Sequence, residues 1–333
     1  METTLSFWHA AGLMALLFAV LALCADWFVE GAVGVAQKLH MPPILIGIVI
    51  VSVGTTAPEL AVSVAAALKG EAEMALGNAV GSVIYDDGLA LALAALLAPT
   101  AIVIDRTVLR SSAIFLVSIH LVAYLLALDG VLGRREGAVL VFGFVAYLIY
   151  SYYEQRYHRN AGISPAIRQE LDTAAQRSWR KIVLLFAAGL GGVVISGHWI
   201  VVAATDVAVH LGIPPVIIAL VAVALGTSVP EIATCIIAAR KGQGSLAVGN
   251  ILGADILNIC WIAGASAMVN PLHVSPEVIN FMFPAMIVIV LAMLGMMRWR
   301  YTLERWHGLV LLGLLGVYLV LLFRFFPSIA AAR

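Results

Sequence analysis

Two hexapeptides decide how this chain folds: Gly54-Thr55-Thr56-Ala57-Pro58-Glu59 and Gly226-Thr227-Ser228-Val229-Pro230-Glu231. Each places a proline and a carboxylate inside a long apolar run. Proline removes a backbone donor and clashes with the carbonyl one turn earlier, so a helix is expected to break at each site and to free carbonyl oxygens there. The two segments stand 172 residues apart. The same offset, without gaps, lays Pro42-Pro43 on Pro214-Pro215, Lys69-Gly70 on Lys241-Gly242, Gly77-Asn78 on Gly249-Asn250 and Gly81 on Gly253. Over the 46 residues from 42 to 87 there are 19 identities, too many for two arbitrary apolar helices. The chain is read as a duplication.

The surroundings of these segments are membrane-like. Of 333 residues, 62% are hydrophobic and 11% charged, with 19 basic against 19 acidic side chains. Soluble domains carry about 25% charged residues, which excludes a water-soluble enzyme and a disordered chain alike. Zero net charge gives no reason to expect nucleic acid. Cys24, Cys235 and Cys260 lie in apolar segments without a disulfide framework or metal spacing, and are read as small packing residues.

Ten apolar segments are long enough for a bilayer core: about 6 to 37, 42 to 68, 74 to 98, 109 to 128, 136 to 153, 181 to 210, 214 to 239, 245 to 268, 278 to 297 and 306 to 325. The first has no Lys or Arg ahead of it and outruns a signal peptide, so it is expected to be retained. With the N-terminus outside, inward-facing loops and helix ends hold 14 of the 19 Lys and Arg residues, which predicts that both termini face away from the cytoplasm. The fold expected is an all-α membrane protein with ten transmembrane helices in two inverted five-helix repeats. Residues 1–153 form the first repeat, 154–181 a cytoplasmic linker and 182–333 the second. Five spans separate equivalent points, and an odd number gives the copies opposite polarity, as in many secondary transporters.

Carbonyls, hydroxyls and a carboxylate at each break suit a hard cation such as Ca2+, which takes six to eight oxygens; paired Cys or His for zinc or copper is missing. A carboxylate at membrane depth costs from about 2.5 kcal/mol upward and marks function. Glu59 and Glu231, equivalent and each beside a proline, are expected to face each other near the midplane. A second block repeats after each break, from Gly77 to Asp87 and from Gly249 to Asn258. Its glycines, four apart, allow close helix packing. Ser82 and Asp86 share one helical face, with Asn258 in the place of Asp86 in the second copy.

With both blocks present twice, the sequence resembles the cation/Ca2+ exchanger superfamily, in its prokaryotic sodium/calcium exchanger branch. The resemblance implies that Glu59 and Glu231 are shared ligands for Ca2+ and Na+. It implies oxygens from Thr55 and Thr227, walls of the sodium sites from Thr56 and Ser228, carbonyls from Ser52 and Ala224, a hydroxyl from Ser82, and polar support from Asn78 and Asn250. Pro58 and Pro230 set the breaks. It further implies alternating access, in which the first and sixth spans slide against the other eight, with no cofactor and with ions bound as transported substrates; the protein is expected in the cytoplasmic membrane, as a monomer, although the sequence does not fix the oligomeric state.

The chain departs from that pattern at definite places. The usual Asn of the first copy and Asp of the second are exchanged in Asp86 and Asn258; Ala254 stands for a serine, Asp255 for an asparagine, and Asp87 is an added acid. The added acids admit coupling to H+ or K+. A Ca2+-binding membrane protein without turnover is the rival of another class. Asp26 and Glu30 on the first span are read as lining an access path or lying near an interface.

Overall fold

The computed structural model describes residues 6–39, 41, 43–158, 178–211 and 225–325. Ala224, Pro42, Pro214-Pro215, most of the predicted linker and the first part of the predicted seventh span lie outside the described residues.

The described residues are helical nearly throughout. It runs through α1 (Phe7–Leu39), α2 (Ile44–Thr55), α3 (Ala57–Leu68), α4 (Ala72–Leu97), α5 (Arg106–Ala127) and α6 (Arg134–His158). After the undescribed segment come α7 (Trp179–His210), α8 (Val229–Arg240), α9 (Gly244–Val269), α10 (Val278–Arg298) and α11 (Arg305–Phe325). Among the described residues seven helices are long and apolar enough to cross a bilayer, and the α2–α3 pair, bent by 47°, makes an eighth if counted as one span. Among the described residues four two-residue strands pair across the helix ends: β1 (Ile102–Val103) with β4 (Thr302–Leu303), and β2 (Val131–Leu132) with β3 (Leu272–His273).

The break in the first half differs in place from the one proline alone predicts. It falls at Thr56, and Pro58 sits in the first turn of α3, where no N–H is needed and its fixed φ favours a helix start. Ser228 and Pro230 hold the same positions ahead of and inside α8. The carbonyl that the break was expected to free is engaged locally: Ser52 O accepts Thr56 N–H at 2.9 Å and the Thr56 hydroxyl at 2.8 Å.

Two further features set up the interior. The helices that carry the second block, α4 and α9, widen into π-helical turns at Asp86–Leu91 and Leu257–Ala263, a distortion frequent at functional sites. They are also the most deeply buried of the long helices, because alanine and glycine let neighbours close on them. At Gly249 an added Cβ would fall on the carbonyl of Ile44, so α2 crosses α9 backbone to backbone. Gly249→Ala is therefore expected to cost about 1–3 kcal/mol through overpacking, whereas Gly295→Ala, on α10 with open space around it, should be neutral or gain up to about 1 kcal/mol of helix propensity. Thermal unfolding of the two variants in one detergent checks the contrast, and equal midpoints would contradict the close approach.

Candidate functional site

The broken helices α2–α3 and α8 and the widened helices α4 and α9 bring their polar residues to one buried place. Ser52, Thr55, Thr56, Glu59, Asn78, Ser82, Asp86, Asp87, Thr227, Ser228, Glu231, Asn250, Asp255 and Asn258 are all buried; so is Pro230, while Pro58 is half-buried. Ala224 cannot be placed, since it lies outside the described residues.

The site is framed by hydrogen bonds that cross between the halves. Thr55 donates to Asn250 Oδ1 at 3.2 Å, and Thr227 donates to Asn78 Oδ1 at 3.1 Å. These two bonds join pairs of residues that match at the sequence offset. Each asparagine is steadied in turn from behind. Asn78 donates to Ser63 Oγ at 3.0 Å and to the carbonyl of Glu59 at 3.3 Å, and Ser63 donates to Ala75 O at 3.1 Å. In the other half Asn250 donates to Cys235 Sγ at 3.7 Å, and Cys235 to Ala247 O at 3.5 Å. Cys235 thus does for Asn250 what Ser63 does for Asn78. Reading it as a packing residue missed this role, although the offset that aligns the prolines also aligns Ser63 with Cys235.

Inside the frame lie five buried carboxylates. Thr227 lies beside Glu59, Thr55 beside Glu231 and Ser228 beside Asp86, so each of these three acids faces a hydroxyl of the opposite half. Glu59, Glu231 and Asp86 act on one another electrostatically; Asp86 also feels Asp87, and Asp87 faces Asp255. Asn258 donates to Asp86 Oδ2 at 3.3 Å. These two residues are themselves equivalent, so the exchanged Asp and Asn meet across the midline of the duplication.

Among the described residues, no hydrogen-bond donor reaches either carboxylate oxygen of Glu59, Glu231, Asp87 or Asp255, nor Asp86 Oδ1, and the Ser82 and Ser228 hydroxyls and Asn258 Oδ1 are likewise unpartnered. Buried oxygens without donors are costly, and a bound cation or proton removes the cost. Among the described residues no three Asp, Glu, His or Cys side chains gather closely enough to hold a metal ion by themselves. Hydroxyl, amide and carbonyl oxygens must complete any coordination shell, which suits hard cations with many oxygen ligands.

Asp26 and Glu30 stand apart from this cluster. Both pair with Lys241 at the end of α8, at 2.7 Å and 3.1 Å, and partly exposed pairs of this kind contribute little stability.

A multi-pass helical membrane protein with a buried cage of acids and hydroxyls at two equivalent helix breaks is of the transporter class. The chain belongs to the family described as sodium/calcium exchanger protein, whose model matches residues 9–153 and 181–324. It is 32% identical to the inner membrane protein YrbG of Escherichia coli, over 91% of this chain and 93% of that one. It is 30% identical to the sodium/calcium exchanger MaX1 of Methanosarcina acetivorans, over 90% and 94%. Its fold matches a structure of the sodium-calcium exchanger NCX_Mj soaked with 10 mM Na+ and zero Ca2+, with a TM-score of 0.78 and 25% identity, covering 98% of this chain and 100% of the other. These relatives are exchangers and membrane proteins, not enzymes.

Asn78→Ala leaves Thr227 without its acceptor and Ser63 without its donor; a loss of about 1–3 kcal/mol is expected. Cys235→Ser reproduces the other half and should unfold close to the parent protein. Thermal melts in detergent decide both, and an unshifted Asn78→Ala would show that the frame carries no load.

Proposed function

We propose that this protein is a secondary antiporter that exchanges Ca2+ for Na+ across a prokaryotic cytoplasmic membrane by alternating access. The observation that carries this reading is the pair of donor-less buried glutamates, Glu59 and Glu231, set at equivalent breaks and facing hydroxyls of the opposite half. Two such carboxylates cannot stand empty at membrane depth. One Ca2+ or several Na+ can neutralise them, and competition for the same oxygens is what makes the two fluxes exclude each other.

In this reading the shell is completed by Thr55, Thr56, Thr227, Ser228, Ser82, Asp86 and Asn258, with carbonyls from Ala224 and from Ser52, whose oxygen gives up the Thr56 hydroxyl to take an ion. Both ions are substrates and no cofactor is needed. Ten spans in two inverted repeats, with both termini outside, follow from the gapless offset, the odd number of spans between equivalent points and the Lys and Arg bias. The sliding element would be α1 with α7. An added Cβ at Gly189 would fall on the Phe28 backbone and one at Gly31 would lie 2.5 Å from Phe186 N, so the two helices touch backbone to backbone. They also enclose a small core, Leu21, Cys24, Ala25, Val193 and Ile200, against which Val229, Ala233 and Ile237 of α8 pack. A pair so joined moves as a unit.

A second reading, coupling to H+ or K+, is favoured by one feature: Asp87 and Asp255 add two buried acids that face each other. Uptake of radioactive Ca2+ into proteoliposomes separates the cases. Loading with Na+ should drive uptake, and Glu59→Gln and Glu231→Gln should each abolish it; normal turnover in either variant would overturn the site. Uptake driven by a pH or K+ gradient would reassign the coupling ion, and Ca2+ binding without flux would make the protein a binder. Asp86→Asn should shift the Na+ dependence, and an unchanged sodium titration would remove Asp86 from the coupling site.

A further inference from the structure

Away from the buried cage, the loop between α4 and α5 and the loop between α10 and α11 meet at one end of the molecule. The β1–β4 ladder joins them, with Ile102 opposite Leu303 and Val103 opposite Thr302, and Ile104 N–H donates to Tyr301 O at 2.9 Å. This brings together Arg106 and Arg110 from one loop and helix start with Arg298, Arg300 and Arg305 from the other, and these two segments carry Asp105 and Glu304 as their acids. All five arginines are exposed, and among the described residues none of them forms an ion pair.

Tyr301 organises the patch. The guanidinium of Arg106 lies 4.6 Å from its ring centroid and that of Arg298 lies 4.8 Å from it, so one ring gathers two cations. Arg300 and Tyr301 are the non-glycine residues with left-handed backbone among those described, at φ of 58° and 55°. Two bulky side chains are thus kept where glycine would be easier, and strain of this sort collects at ligand clamps. Beside the patch opens a cavity of about 330 Å3 lined by Ala95, Pro99, Ala101, Glu304, Arg305 and Trp306. Its walls are largely apolar. Arg305 stands at its rim, donating to Ala98 O at 3.4 Å, and Glu304 is engaged by the Trp306 indole at 3.2 Å.

Depth identifies the ligand. The apolar span of α5 begins at Leu109, that of α10 ends at Arg298 and that of α11 begins at Arg305, so the cluster sits where hydrocarbon gives way to headgroups. Trp299 and Trp306, 68% and 51% exposed, stand at the same level, where indoles anchor to lipid. A guanidinium matches a phosphate with paired hydrogen bonds. Net positive charge at headgroup depth selects an anionic lipid over a zwitterionic one. We propose that this patch is a binding site for the headgroup of an anionic phospholipid, with the phosphate held between Arg106 and Arg298 and the glycerol end against the cavity beside Trp306.

The test is independent of ion transport. The protein is reconstituted in bilayers of equal phosphatidylglycerol and phosphatidylcholine, extracted mildly and weighed intact by native mass spectrometry. The parent protein should retain phosphatidylglycerol in excess, and R106Q/R298Q should lose it by about fivefold for each arginine removed. R134Q/R135Q, at the start of α6, should keep it. Equal retention of the two lipids by the parent protein would overturn the proposal, and so would undiminished retention by R106Q/R298Q. Displacement of the lipid by millimolar inorganic phosphate would overturn it in favour of a free-anion site.

Discussion

Burying carboxylates in an apolar interior is the constraint on which the rest of this molecule depends. Five of them, Glu59, Asp86, Asp87, Glu231 and Asp255, are withdrawn from water in a chain whose surface faces lipid. An isolated carboxylate there costs several kcal/mol or more. It persists only where other oxygens and an exchangeable cation or proton share the burden. The helix breaks at Thr56 and Ser228 and the π-helical turns at Asp86 and Leu257 answer that need. Each interrupts or widens the regular backbone ladder beside the buried acids.

The frame that holds these groups is built across the halves. A threonine of one half reaches an asparagine of the other, twice, and each asparagine leans on a serine or a cysteine of its own half. Neither half can place its glutamate alone, because the hydroxyl beside each glutamate comes from the partner half. Close backbone crossings such as that of α2 and α9 at Gly249 hold the helices near enough for this. Packing and polar geometry are therefore one problem: a wider helix spacing would lengthen the cross bonds past the point where they hold.

Much of this was legible in the chain. The offset of 172 picked out Glu59 with Glu231, Thr55 with Thr227 and Asn78 with Asn250, because duplication preserves residue types where chemistry demands them. What it could not supply was local hydrogen-bond routing. Proline marks a break, yet the fold could place the break on either side of it, and Thr56 took the position because Pro58 fits a first helical turn. The Ser52 carbonyl, free on the proline argument, is captured by Thr56, whose hydroxyl can swing back onto the preceding turn. The part played by Cys235 was hidden by its apolar setting. Sulfur is a weak donor and acceptor, and only the three-dimensional neighbour Asn250 gives it a polar role.

The two halves share a frame but not a charge pattern, and the differences have a direction. Asp86 and Asn258 occupy equivalent positions and bond to each other, so exchanging the two residue types leaves the charge at that contact unchanged while moving it to the other helix. Asp87 aligns with Ile259 and Asp255 with Val83, so each acid has no acidic counterpart in the other half, yet the two face each other. A lone acid at either place would be an unpaired buried charge, and the pair can share a single proton or cation. The cage therefore extends beyond the two glutamates through Asp86 to a second acidic pole, Asp87 with Asp255.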